Sequence, residues 1–210
     1  MPILADAPAD QGPPMGMGLY KRPKDGAVFA IVSPKAGPTV SGAGEIEAVA
    51  VDDALGYVYY ADESYGIDKW LADPDAPGAD RELAVFGKTG YTQDREGIGI
   101  YTKPGGTGYI VSVDQLSGES VFHLYKREGE PGRPHDHSAE LLVFKGGADG
   151  TDGLDVTSAP LGVGVSRRIA GRHEQRVEEC PALPMVGHRR SMAVVLPPRK
   201  NLIENPGGCP

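Results

Sequence analysis

One motif recurs along this chain, and it constrains the fold more than any other feature. Residues 96–113, EGIGIYTKPGGTGYIVSV, align without a gap on residues 15–32, MGMGLYKRPKDGAVFAIV. Gly97 falls on Gly16, Gly99 on Gly18, Tyr101 on Tyr20, Pro104 on Pro23 and Val113 on Val32. A third copy starts at Glu47 in EAVAVDDALGYVYYAD, and a fourth at Asp152 in DGLDVTSAPLG. Each copy reads as a short apolar strand, a turn with Gly or Pro, and a second strand.

The copies start at residues 15, 47, 96 and 152, so the last two intervals are 49 and 56 residues. Each is long enough for four antiparallel strands. After Glu96 the pattern predicts strands near 97–101, 108–113, 119–126 and 139–145; after Glu47, near 47–52, 57–61, 66–71 and 82–86. Four consecutive antiparallel strands per repeat of this length are the signature of β-propeller blades. A sandwich of regular hairpins is the alternative, but it does not explain one motif recurring at the first strand of every unit. The first interval is only 32 residues. The unit starting at Met15 has two strands and then KAGPTVSGAGEIE, so its outer strands are missing around Val40. An exposed half-sheet leaves its edge unpaired, and an internal deletion near residue 40 is the expectation.

Composition supports an all-β chain rich in turns, with 30 Gly and 19 Pro in 210 residues. The net charge of −8 argues against nucleic acid as a partner, because phosphate backbones need a basic surface. No stretch reaches transmembrane length, and no secretory leader is legible in the first twenty residues. Two cysteines, Cys180 and Cys209, are too few for a disulfide framework. The charge is uneven. Eight of the 21 Lys/Arg and four of the 29 Asp/Glu follow Gly162, giving −12 before it and +4 after it. All 14 aromatic residues precede that point, and both cysteines follow it. A basic, aromatic-free tail can be a disordered arm.

The acid at the head of the repeat is Glu47, Glu96 and Asp152. In a propeller the first strand of each blade lines the axis, so equivalent positions converge. Like carboxylates in a confined space repel and raise one another's pKa. A multivalent cation relieves that repulsion, and hard oxygen ligands favour Ca²⁺. Asp149 and Asp155 flank Asp152 and could add ligands, although Asp and Gly at loop–strand boundaries are also ordinary turn chemistry. The spacing is not that of an EF-hand loop.

SGAGEIEAVAVDDALGYVYYADESYGIDKW, DREGIGIY and DGTDGLDVTSAPLG resemble the β-propeller phytases, calcium-dependent enzymes of six-bladed fold that hydrolyse phytate, myo-inositol hexakisphosphate. The resemblance covers about residues 14–162, with its motifs in family order. It implies an all-β partial propeller, about three blades of the six, corresponding to the C-terminal half. It implies that Glu47, Glu63 and Glu96 hold catalytic calcium ions, and that the aspartates 149, 152 and 155 match an acidic cluster that holds or bridges calcium, with the choice among them open. Tyr20 and Lys35 match active-site positions, Lys35 contacting substrate phosphate. The implied chemistry is metal-assisted attack of water on phosphorus, with no covalent intermediate. Members of the family are extracellular or periplasmic. Neither nucleic acid nor membrane nor a protein partner is implied.

The family's DDPAIW-like and NNVD-like N-terminal motifs, which supply an aspartate, a lysine and an arginine to its site, are absent. The chain is therefore expected to be an inactive fragment: a start segment over 1–13, a partial propeller over 14–162 and an irregular tail over 163–210. In the family, the strand after DVTSAPLG continues like FPxGLLVAMNS and ends like NVQLYRWSDIA. Back-translation of the tail with suitable synonymous codons, less one nucleotide after Gly162, gives SAFPGGLLVAMNSAWKNVQLYRWSDIA. Residues 163–210 are thus expected to be out-of-frame translation, with a genuine basic tail as the alternative. The other functional alternatives are a lactonase-like Ca²⁺-dependent propeller hydrolase and a non-catalytic propeller scaffold. His135, Asp136 and His137 read as a solvated turn rather than a transition-metal site, Trp70 as packing, and Arg95 as either a phosphate contact or a partner of its neighbour.

Overall fold

The structure, a computed structural model, describes residues 14–34, 44–146, 148–157, 185–188 and 191–195. No helix occurs among them. β3 (Ile46–Asp52), β4 (Tyr57–Asp62), β5 (Gly66–Leu71) and β6 (Ala84–Phe86) form one four-stranded antiparallel sheet in sequence order. β7 (Asp94–Thr102), β8 (Gly108–Gln115), β9 (Val121–Lys126) and β10 (Glu140–Lys145) form a second with the same order. These are the two four-stranded units that the repeat predicts. β1 (Pro14–Lys21) and β2 (Val28–Pro34) pair as a two-stranded sheet, as expected for the short first unit. Residues 35–43, where the deletion is expected, lie outside the described residues.

β11 (Leu154–Thr157) opens the fourth copy. Of the segment after Gly162 the structure describes β12 (Met185–His188) and β13 (Ser191–Val195), which pair antiparallel; β13 also pairs parallel with β11. The irregular character expected of the tail does not extend to these two short segments, whose MVGH and SMAVV sequences carry enough β-branched and apolar residues to pair.

The units meet through their first strands: β1 packs on β3, β3 on β7, and β7 on β11. The repeat explains how. Each first strand carries small residues at alternate positions, Gly16 and Gly18, Ala48 and Ala50, Gly97 and Gly99. Alternation puts each pair on one face. A Cβ on Gly16 or Gly18 would lie within 2.7 Å of Val49 or Val51, and one on Gly97 or Gly99 within 2.5 Å of Leu154 or Val156. Ala48 and Ala50 pack in one cluster with Ile98 and Ile100. The bulky residues of one first strand thus seat on the small face of the strand before it.

Three apolar clusters sit at these junctions. Tyr20, Phe29, Ile31, Val51 and Val58 join the first unit to the second. Tyr59, Ile67, Phe86, Ile98, Ile110 and Tyr125 join the second to the third. Val111, Val113, Phe122, Leu154 and Val156 join the third to β11. A buried ion pair reinforces the middle junction: Arg127 donates from Nε and Nη2 to both oxygens of Asp52, each at 2.5 Å. By contrast Met17 and Leu19, the bulky residues of β1, are 65% and 60% exposed.

Candidate metal centre

A bulge marks the head of each unit. The ladder register shifts between Pro14 and Met17 in β1, between Ile46 and Ala48 in β3, and between Arg95 and Ile98 in β7. Each irregularity contains the repeat head: Met15 with Gly16 in β1, Glu47 in β3, and Glu96 with Gly97 in β7. An unpaired bulge residue is turned out of the regular ladder, a device often found beside active sites. The first unit places Met15 there and contributes no acid.

Glu47 lies beside Glu63, which sits in the turn between β4 and β5. The Glu63 N–H donates to the Glu45 carbonyl at 3.0 Å, closing that turn against the start of β3. Carboxylate oxygens of Glu45, Glu47 and Glu63 lie within 4.8 Å of one another, all three residues half-buried. Glu96 is 5% exposed, and its Oε2 is buried with no hydrogen-bond partner. Burial pushes the Glu96 carboxyl up to about 8, and the charges of Glu63, Glu47, Asp152 and Asp94 push the same way. The fold thus brings Glu47, Glu63 and Glu96 into one neighbourhood. Glu45 joins them without having been singled out by the repeat; its signal lay in GEIE, two acids at alternate strand positions.

The aspartates separate by role. Asp152 acts on Glu96 and accepts from Gln115 Nε2 at 2.6 Å. Asp149 accepts from the Gly118 N–H at 2.7 Å, a turn contact, and Asp155 accepts from its neighbour Val156 at 2.8 Å; both are exposed. Tyr20 is not brought to the carboxylates. Gly16 lies at the level of Glu47, whereas Tyr20, four residues further along β1, lies near Gly56 and packs with Phe29, Val58 and Ala72. At a strand rise of about 3.3 Å per residue, roughly 13 Å separates the two levels. Burial and the Asp73 charge raise the Tyr20 phenol. Its recurrence at the position of Tyr101 is a packing signal. Lys35 lies outside the described residues.

Arg95 turns to backbone carbonyls rather than to its neighbour Glu96. It is 5% exposed and donates to the carbonyls of Gly87, Glu63 and Lys88. Trp70 packs as expected, stacked on Tyr60. The HDH segment is not a solvated turn. His137 is 2% exposed, with Nε2 3.0 Å from Lys69 Nζ and Nδ1 2.7 Å from the Lys126 carbonyl. An ammonium only donates, so Nε2 accepts and Nδ1 carries the proton. Burial lowers His137 to about 4 and Lys69 to about 8. No transition metal is needed to account for the pair.

A phytase family model matches residues 39–171, more than half of the chain. The chain belongs to the phytase family. It is 30% identical over 173 aligned residues to a 3-phytase of Bacillus subtilis (strain 168), covering 70% of this chain and 43% of that protein. The chain thus spans less than half the length of the curated phytase it matches. The family match takes in both four-stranded units and all the carboxylates of the cluster. It begins after the first unit, which the sequence resemblance includes, and it runs past Gly162.

The donor set fits the calcium that the family resemblance implies. The ligand atoms on offer are carboxylate oxygens, the choice of hard cations. Glu96 Oε2, buried without a donor, has the acceptor capacity that a cation would fill.

Proposed function

We propose that the protein holds Ca²⁺ on Glu45, Glu47, Glu63 and Glu96, with Asp152 close by, and belongs to a calcium-dependent phytase acting on the phosphomonoesters of phytate. The observation that carries the reading is the buried Glu96 carboxylate, its Oε2 without a hydrogen-bond partner, set among like charges in a chain of the phytase family. Acids set among like charges raise one another's pKa, and a multivalent cation relieves that repulsion. Bound calcium would neutralise substrate phosphate and lower the pKa of an attacking water. The chain's own residues fix the geometry: the bulges at Glu47 and Glu96 aim two carboxylates, and the turn closed on Glu45 sets the third. Lys35 is assigned to offset phosphate charge.

This chain alone is proposed to turn over phytate poorly. The first unit offers Met15 where the others offer an acid, and the matched phytase is more than twice as long as the matched segment. Calorimetric titration with Ca²⁺ tests the metal reading: binding is expected, and Glu47→Gln should abolish most of it. Phosphate release from phytate in millimolar Ca²⁺ tests the rest. Rapid turnover overturns the inactive-chain reading, and an absence of Ca²⁺ binding overturns the metal centre.

A further inference from the structure

We propose that Arg95 is a positioning residue for the carboxylate cluster, clamping the turn that carries Glu63 to the unit that carries Glu96. The role rests on the metal reading above and extends it from the ligands to what sets their spacing. Glu63 sits in the β4–β5 turn of one sheet and Glu96 in β7 of another, so neither sheet's own ladder fixes the distance between them. Arg95 supplies a direct tie. It precedes Glu96 in β7, and its side chain reaches the 87–88 segment and the turn at Glu63. There Nη1 donates to the Glu63 carbonyl at 2.8 Å. Nε donates to the Gly87 carbonyl at 2.8 Å, and Nη2 to the Lys88 carbonyl at 3.1 Å.

The chemistry of the clamp is specific to arginine. A planar guanidinium presents five donors in a rigid fork, and here the fork spans three carbonyls from two chain segments. Its face lies over the Tyr91 ring, 4.4 Å from centroid to Cζ. Asp114 fixes the same 87–93 segment from the other side, accepting from the Thr92 and Gln93 N–H groups at 2.7 and 2.8 Å. The segment is therefore a fixed anchor, and Arg95 transmits its position to Glu63. A lysine at this site keeps the charge, but a single ammonium on a flexible stem cannot reach all three carbonyls.

Terbium luminescence sensitised by the chain's aromatic residues, competed with Ca²⁺, reads the effect. Arg95→Lys should weaken Ca²⁺ affinity by about tenfold or more, the scale on which residues that orient metal ligands act. The titration is run well below the melting temperature measured in chelator, so that all variants are folded. Arg95→Ala should be weaker still and should recover affinity in millimolar methylguanidinium, which refills the fork. A purely structural arginine would lower the melting temperature and leave the affinity of folded protein unmoved; that result overturns the role. In the unmodified chain, the Arg95 side-chain nitrogen resonances should shift with the same Ca²⁺ midpoint as the luminescence, and resonances indifferent to Ca²⁺ overturn the role without any variant. An unmodified chain that binds neither ion overturns the metal reading and the clamp's purpose with it.

Discussion

Replacing Glu96 by glutamine should stabilise the metal-free protein, and by an amount that grows with pH. In the folded chain the Glu96 carboxyl is raised to about 8 from its ordinary value of 4.5. The folded state therefore holds this proton between those values while the unfolded state has released it, and stability falls as pH rises through that window. Each pH step of one across the window is worth about 1.4 kcal/mol, so ionisable Glu96 costs at most about 3 kcal/mol at pH 7 and about 5 kcal/mol at pH 9. Glutamine keeps the shape and never ionises. Denaturant unfolding in chelator at pH 5, 7 and 9 should show the two proteins close together at pH 5 and diverging above it. Saturating Ca²⁺ should invert the order, because the ion binds the ionised carboxylate and Glu96→Gln removes a ligand. Parallel pH profiles for the two proteins in chelator would refute the reasoning, since they would mean that Glu96 does not sit among repelling carboxylates.

Other outcomes follow from single contacts. His137 is held neutral, with its folded pKa lowered to about 4, so its contribution is complete above about 6.5 and is lost as pH falls toward 4; unfolding of His137→Gln over that range should lack the acid-side loss seen in the unmodified chain. Arg127→Ala strands Asp52 in the interior at 2% side-chain exposure and should cost about 3–5 kcal/mol in denaturant titration, a small effect marking the pair as dispensable. At Gly99 an added Cβ would stand 2.0 Å from Val156 Cγ2, so Gly99→Val should destabilise by about 1–3 kcal/mol, whereas Gly153→Ala, with no atom within 4 Å, should be nearly silent in the same thermal melt. The out-of-frame reading of residues 163–210 predicts that the coding DNA, shifted by one base after codon 162, encodes GLLVAMNS; any other shifted sequence removes that reading.

Strand positions were legible because apolar residues alternate with period two and Gly or Pro marks each turn, so both four-stranded sheets fall within a few residues of expectation. The carboxylate cluster was legible through repetition: Glu47 and Glu96 occupy one position of one motif. The bulges that aim them were not, because an extra residue in a ladder is a property of pairing that one strand's sequence does not display. Glu63 lies outside the repeat and was reachable through family resemblance alone. The family resemblance names Tyr20 as a site residue, and the structure sets it in a junction core. It recurs with Tyr101, but both aromatics fill junction cores. The HDH segment reads as solvated from sequence because it lies in a loop between two expected strands. His137 is set against Tyr59 and Phe86 and bonded to Lys69, 68 residues away in sequence, and no local pattern announces those partners.

The seating of bulky residues on small ones gives the array of units a direction. Each first strand receives on its Gly or Ala face and inserts with its Val, Ile or Leu face, so the junction has unlike sides and reads the same way at every step. The close fit of first strand on first strand occupies three or four residues, and side chains of the later strands, Ile67, Phe86 and Tyr125 among them, complete the junction around it. In the first unit, of which the described residues form two strands, β1 takes the same place against β3 that β3 takes against β7. The direction of the array is therefore written in the first strands, whose unlike faces fix which side of each unit meets the next.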